Sequence, residues 1–178
     1  MQKKVERWKE LSRETVFSKY GREIEKVIYQ FPDGTKSDYY IKKEYPVACV
    51  LALTKDKKVI LSKQYRPGPD EILFDLPGGK IEKGEKIEEG MAREFLEETG
   101  YQGKLKKVGK IISCAYSSQD RYSFVATDCE KVGEIKQTSS EFCENVLVSI
   151  EELKEIIKKE KIIDIGAAYQ GLDYLGLL

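Results

Sequence analysis

The sequence predicts an α/β chain: a mixed sheet covered by helices, preceded by a small N-terminal β segment. Three observations carry this expectation. Residues 46–54 read PVACVLALT, a nearly unbroken apolar run of the kind that forms a strand buried on both faces. Ile87, Met91 and Phe95, with Leu96, recur at helical spacing and make one apolar stripe. Strand and helix patterns alternate irregularly, which favours a mixed sheet over a regular βαβ winding. With 178 residues and 40% apolar content, the chain can build one packed core with a small appended piece. The expected division is a β segment over 1–44 and a main domain over 45–178.

Residues 1–10 are charged and are expected as a short helix or a loose arm. Residues 15–43 read as β structure. Ile24, Val27 and Tyr29 lead into Phe31-Pro32-Asp33-Gly34, whose Asp-Gly pair marks a hairpin turn, and Tyr39, Tyr40 and Ile41 start the return strand. After the buried strand, Lys57-Lys58 marks a turn and 59–65 is its partner. Pro67, Gly68 and Pro69 open a loop, 72–76 is a short strand, and Pro77-Gly78-Gly79 ends it. Residues 86–99 form the striped helix, with Gly100 where a helix C-terminal glycine belongs. Three further strands are expected over 105–115, 122–126 and 146–150. Ile150, Leu153, Ile156 and Ile157 then define an amphipathic helix, and a last helix covers about 164–174.

Composition excludes several chemistries. Thirty-one basic residues cancel thirty-one acidic ones, so no global electrostatic grip on nucleic acid is expected. The absence of histidine removes imidazole acid–base catalysis, Ser-His and Cys-His nucleophiles, and histidine metal sites. Cys49, Cys114, Cys129 and Cys143 include no Cys-x-x-Cys pair, which argues against zinc or a disulfide scaffold and suits a reducing cytoplasm. No apolar run approaches the ~20 residues that span a bilayer, and the N-terminus lacks the apolar stretch of a signal peptide. No membrane partner is expected.

Glu94, Glu97 and Glu98 are spaced by three and by one, which puts all three carboxylates on one helix flank, with Glu85 and Glu88 or Glu89 earlier on the same surface. Like charges so arranged repel by about a few tenths of a kcal/mol per pair. Water, salt and Arg93 can compensate, and so can a hard divalent cation, since Mg²⁺ and Mn²⁺ prefer carboxylate oxygens. Spacing alone favours a solvated face. The flanking residues change that judgement: Gly79 upstream lets backbone come close to a ligand, and the spacing of the whole stretch 79–101 carries the rest.

Residues 79–101 read GKIEKGEKIEEGMAREFLEETGY. This resembles the Nudix box, G-x5-E-x7-R-E-U-x-E-E-x-G-U with U a bulky apolar residue. Gly79, Glu85, Arg93, Glu94, Glu97, Glu98 and Gly100 all fall in one gapless register, and the aromatic Phe95 and Tyr101 fill the apolar places. The resemblance implies the Nudix α/β/α sandwich with a mixed sheet. It also implies Mg²⁺-dependent hydrolysis of a nucleoside diphosphate linked to another group, with Mn²⁺ as the alternative ion. By position, Glu94, Glu97, Glu98 and the Gly79 carbonyl would hold metal, Arg93 would orient the glutamates, and Glu85 would support them from the loop. Cations on a diphosphate neutralise its charge and acidify a bound water, whose proton a nearby glutamate takes.

Outside the box the chain is similar to the ADP-ribose pyrophosphatase branch. The likeness rests on Tyr20-Gly21 and Asp33-Gly34 in the N-terminal segment, on Gln64-Tyr65-Arg66-Pro67, on EILFDLPGGKIE over 71–82, and on Glu141-Phe142-Cys143-Glu144. Asp75 stands where the branch usually has Glu, and Gly78 where it has Ala. The resemblance implies Glu141 as the catalytic base, with Glu144 as the rival. It implies Arg66 as a contact for the substrate's diphosphate or terminal ribose, through the planar guanidinium fork; the bland alternative is a surface pair with Asp70 or Glu71. It also implies a homodimer, and a base pocket built by N-terminal aromatic residues, among which Tyr29 is taken as substrate-binding beside Trp8, Phe17, Tyr20, Tyr39 and Tyr40. One departure concerns 116–120: Tyr116-Ser117-Ser118-Gln119-Asp120 replaces a branch segment like Y-P-S-P-G.

The leading expectation is therefore hydrolysis of a nucleoside diphosphate-sugar, with ADP-ribose giving AMP and ribose 5-phosphate. Another nucleotide sugar or dinucleotide is the nearest alternative. A non-catalytic ligand-sensing module is opposed by the intact box, and action on an RNA 5′ end by the balanced charge.

Overall fold

The computed structural model describes residues 5–135 and 142–178. It divides into two compact units, the residues up to Tyr45 with Ile112–Gln119, and Pro46–Ile111 with Asp120–Leu178.

In the first unit, β1 (Lys9–Lys19), β2 (Arg22–Gln30) and β3 (Lys36–Lys43) form an antiparallel sheet in that order. The turn between β2 and β3 forms as expected: Gly34 N–H donates to Phe31 O at 2.9 Å, and Asp33 Oδ1 accepts from Thr35 N–H at 3.1 Å. The β reading from Thr15 holds, and the helix or loose arm expected over 1–10 is corrected at Lys9 and Glu10. Lys9 onward is strand, paired from Lys9↔Gln30 to Lys19↔Arg22. Every β1 residue is exposed, so its sequence has no apolar alternation to betray it. Glu25 of β2 is buried and ties three strands together, meeting Arg13 of β1 and Lys43 of β3, the latter at 3.1 Å. Trp8 packs edge-on against Tyr29 and Phe31, and Tyr116 stacks on Tyr39.

In the second unit the strands are β4 (Val47–Thr54), β5 (Val59–Arg66), β6 (Glu71–Asp75), β7 (Gly78–Lys80), β8 (Tyr101–Ile111), β9 (Arg121–Lys131) and β10 (Cys143–Val148). The main path runs β10-β5-β4-β9-β8, with β4 and β9 parallel and the other pairs antiparallel. β4 and β5 pair only through Ala52↔Ile60 and Leu53↔Val59. They then part, and in the gap β6 borders β5 while β7 borders β4. The sheet is thus split in its interior, between β5 and β4.

The apolar run of β4 is buried on both faces, as its composition predicts. Cys49, Leu51 and Leu53 pack with Leu153 and Ile157 of helix α2 (Ile150–Lys158) and with Ala168 and Leu172 of α3 (Ile165–Tyr174). Ala48, Val50 and Ala52 pack on the other face with Met91 and Phe95 of α1 (Ile87–Thr99). Helices on both faces of a mixed sheet are the expected sandwich. Gly100 ends α1 in the left-handed region at φ 74°, its N–H returning to Leu96 O at 2.8 Å. Ser149 and Glu152 close a capping box on α2.

Several boundaries shift. β8 starts and ends four residues earlier than the sequence reading, and β9 runs on to Lys131. Their pairing skips at Gln102/Lys104 and Lys107/Gly109, and such bulges break the two-residue alternation. β7 is Gly-Gly-Lys, with no strand propensity of its own; its ladder to β4 makes it a strand.

Candidate active site

The exposed flank of α1 faces the gap between β4 and β5. Arg93 organises it. Its Nε and Nη2 donate to the two Glu85 carboxylate oxygens at 2.9 and 3.0 Å. Its Nη1 reaches Glu94 Oε1 at 2.9 Å and Glu97 Oε2 at 3.2 Å, and Nη2 also reaches Lys80 O at 3.2 Å. The planar fork of arginine allows this sharing, and the four-residue step from Arg93 to Glu97 brings the two onto one face. Arg93, with a further hydrogen bond from Glu82 N–H, holds the Glu85 carboxyl down at about 2.

Glu94 and Glu98 are shifted the other way. Burial raises Glu94, against the pull of Arg93. Burial also pushes Glu98 up to about 7, opposed by Gly78 N–H, which donates to Glu98 Oε2 at 2.7 Å. Gly79 is glycine for a steric reason: a Cβ there would stand 2.3 Å from Glu94 Oε2.

On β5, Gln64 and Arg66 alternate onto one face and converge on Asp75 of β6. Asp75 Oδ2 accepts from Arg66 Nε at 2.9 Å and from Gln64 Nε2 at 3.1 Å, with Arg66 Nη2 at 2.7 Å. Asp75 is 3% exposed, and its Oδ1 is buried with no partner among the described residues. Burial raises this carboxyl, against the Arg66 charge. The Arg66 guanidinium therefore forms its ion pair with Asp75 and not with Asp70 or Glu71. Asp70 takes the Tyr65 hydroxyl at 2.7 Å and Glu71 pairs with Lys161.

A cavity of about 460 Å³ joins these groups, lined by Arg66, Asp75, Gly79, Glu94, Glu97 and Glu98. Arg121 and Asp164 also line it. They form an ion pair that sequence reading missed, since the two lie 43 residues apart and only the parallel β4–β9 ladder brings Arg121 to the site. Cys49 beneath them is pushed up to about 12 by burial, which leaves it an inert thiol.

Of the other residues singled out, Tyr29 lies in the first unit, and Glu141 lies outside the described residues. Glu144 is exposed on β10 opposite Lys63, on the sheet face shared by Val146 and the α2 side. Its neighbour Asn145 takes the other face and donates to Glu98 O at 2.9 Å. That register turns Glu144 away from the cluster. Gly79 and the α1 carboxylates are hard oxygen donors beside a cavity, so the donor set fits a divalent cation. As they stand, their oxygens are shared out to Arg93 and Gly78. Among the described residues, no three acidic or cysteine side chains converge on one point.

A helix-borne carboxylate–arginine cluster over the split of a mixed sheet, with helices on both faces, is the build of a Nudix hydrolase domain. The family model for the NUDIX domain matches residues 43–165, and the chain belongs to that family. Divalent metal ions are the general cofactors of the family. The chain is 31% identical over 176 residues to an ADP-ribose pyrophosphatase of Bacillus subtilis (strain 168), covering 95% of this chain and 92% of that one. It is 26% identical over 161 residues to a methanol dehydrogenase activator of Bacillus methanolicus, covering 88% and 86%. A solved structure described as an ADP compounds hydrolase superposes with a TM-score of 0.79 at 20% identity, over 99% of this chain and 100% of that one, which shows the shared fold. Among the described residues, no helix is long and apolar enough to cross a membrane.

Proposed function

We propose that this protein hydrolyses the diphosphate bond of a nucleoside diphosphate-sugar, with ADP-ribose as substrate and AMP and ribose 5-phosphate as products. The observation that carries this reading is the Glu85–Arg93–Glu94–Glu97 network with Glu98 and Gly79 at one cavity. The name of the Bacillus subtilis relative, similar along nearly the whole chain, supports the choice of substrate.

In this reading Glu94, Glu97, Glu98 and the Gly79 carbonyl hold Mg²⁺, with Mn²⁺ as a substitute. The ion supplies charge neutralisation on the diphosphate and a more acidic water. Arg93 acts by geometry: it keeps Glu94 and Glu97 turned toward the cavity and anchors them to Glu85 on the loop. Arg66, fixed by Asp75, offers its remaining donors to the diphosphate or terminal ribose. Glu141 takes the proton of the attacking water, the register of β10 having turned Glu144 to the opposite face.

The division of labour assigns residues 45–178 to the chemistry. Residues 1–44 are assigned to dimerisation and to the nucleobase, with Tyr29 among the rings for the base. The exposed length of β1 supports a homodimer. A cytoplasmic location, with a small-molecule nucleotide as partner and no membrane or nucleic acid, completes the proposal.

A panel of nucleotide sugars and dinucleotides, incubated with Mg²⁺ and then with phosphatase for phosphate release, tests it. ADP-ribose should be turned over best, and chelation should abolish the signal. A chain that cleaves no member of the panel ends this reading.

A further inference from the structure

The cavity has two ends, on opposite faces of the sheet. Paired residues on neighbouring strands share a face, and successive residues alternate. Ala48 pairs with Gly79 and faces α1, where Glu94 stands. Val47 pairs with Arg121, and Val47 and Cys49 face the α2 and α3 side. The α1 carboxylates therefore lie at one end and Arg121 at the other, joined through the gap where β4 and β5 part.

Arg121 is built in, not left loose. Its guanidinium is paired with Asp164, which is 5% exposed and whose other oxygen accepts from Leu76 N–H at 3.3 Å. Asp164 stands at the N-terminus of α3 yet makes no side-chain cap there, so its carboxylate serves Arg121 and Leu76 instead. About a quarter of the Arg121 side chain remains exposed, and it lines the cavity.

The lining also says what this end suits. Among the described residues it includes no aromatic ring, so a base would find nothing to stack on. A guanidinium fork donates in pairs to adjacent oxygens, which a sugar carries on neighbouring carbons.

We propose that Arg121, held by Asp164, reads the hydroxyls of the sugar attached to the diphosphate and so sets preference for the non-nucleoside half of the substrate. This rests on the pyrophosphatase reading above and names a specificity determinant within it.

The test compares ADP-ribose with the β-methyl ester of ADP, which keeps the nucleoside and the diphosphate but offers Arg121 no hydroxyl. Both are assayed with Mg²⁺ on the wild type, Arg121→Gln and Arg121→Lys. The lysine variant keeps a positive partner for Asp164 if the glutamine variant fails to fold. Either variant should raise KM for ADP-ribose by roughly ten- to a hundredfold more than KM for the methyl ester, the loss falling on KM rather than kcat. Damage to the scaffold would lower both substrates together, and equal losses, or none, overturn the assignment while leaving the pyrophosphatase reading in place. A wild type that cleaves neither compound overturns both.

Discussion

Glu98 has less to balance its charge than the other carboxylates of the α1 cluster. Arg93 does not reach it, Gly78 N–H donates to it, and burial holds its carboxyl near 7. Glu97, by contrast, shares Arg93 and is more exposed. If these carboxylates hold a cation against a diphosphate, Glu97→Gln and Glu98→Gln should each lower turnover by at least about a hundredfold, with the thermal midpoint retained. Steady-state assays beside a melting curve check this, and normal turnover in both variants would remove the site. Thiol chemistry gives a second test. Burial pushes Cys49 up to about 12 and Cys129 up to about 11, while Cys114 is exposed. Maleimide at neutral pH should label Cys114 in the native protein and reach Cys49 and Cys129 only after unfolding, as read by mass spectrometry of peptides. Rapid native labelling of Cys49 would mean that the floor of the cavity opens.

The elements were legible where their own residues set the pattern. The β4 run declares a strand buried on two sides, and the stripe of Ile87, Met91 and Phe95 declares α1 with Gly100 as its stop. Elements made by a partner were legible only in part. The β reading from Thr15 covers the second half of β1, but its exposed first half and the Gly-Gly-Lys of β7 carry no alternation; each is a strand because a neighbour supplies the ladder. For β1 that ladder is reinforced by Glu25, which fastens β2 to Arg13 and Lys43. Burial pushes the Glu25 carboxyl up, but hydrogen bonds from Arg13 and Lys43 outweigh it and the net shift is downward from 4.5. The sign follows: the native state then binds fewer protons, so this contribution is complete above about pH 4.5 and is lost as pH falls through the lower native value. Glu25→Gln should therefore lower stability at neutral pH by about 1–2 kcal/mol, and the gap to wild type should close on acidification. Denaturant curves at several pH values check this; a gap that widens in acid would contradict the assignment. The capping box offers a simpler measure. Ser149→Ala should cost about 1 kcal/mol, read as a lower denaturant midpoint at constant slope.

At the scale of the whole molecule, the acidic half of the candidate site could be read from the chain because seven residues of one short stretch carry it. The Arg121–Asp164 pair could not, because it is assembled by a parallel ladder between distant strands. Quaternary structure is of the second kind, yet β1 bears on it. This strand of 11 residues ends the three-stranded sheet, and Leu11, Val16 and Phe17 are all at least 40% exposed. A terminal strand with apolar side chains and unpaired backbone groups is a ready template for another chain. Ordering it costs about 1–2 kcal/mol per residue in backbone entropy, which β1 does little to offset by burial within one chain. In the homodimer proposed above, a second copy supplies that burial. Sedimentation at micromolar concentration should therefore give twice the chain mass, and Leu11→Glu with Phe17→Glu should give the single chain mass with the strand content of the second unit kept by circular dichroism. A wild type that sediments as one chain at every concentration, with β1 resistant to protease, would show that the strand needs no partner.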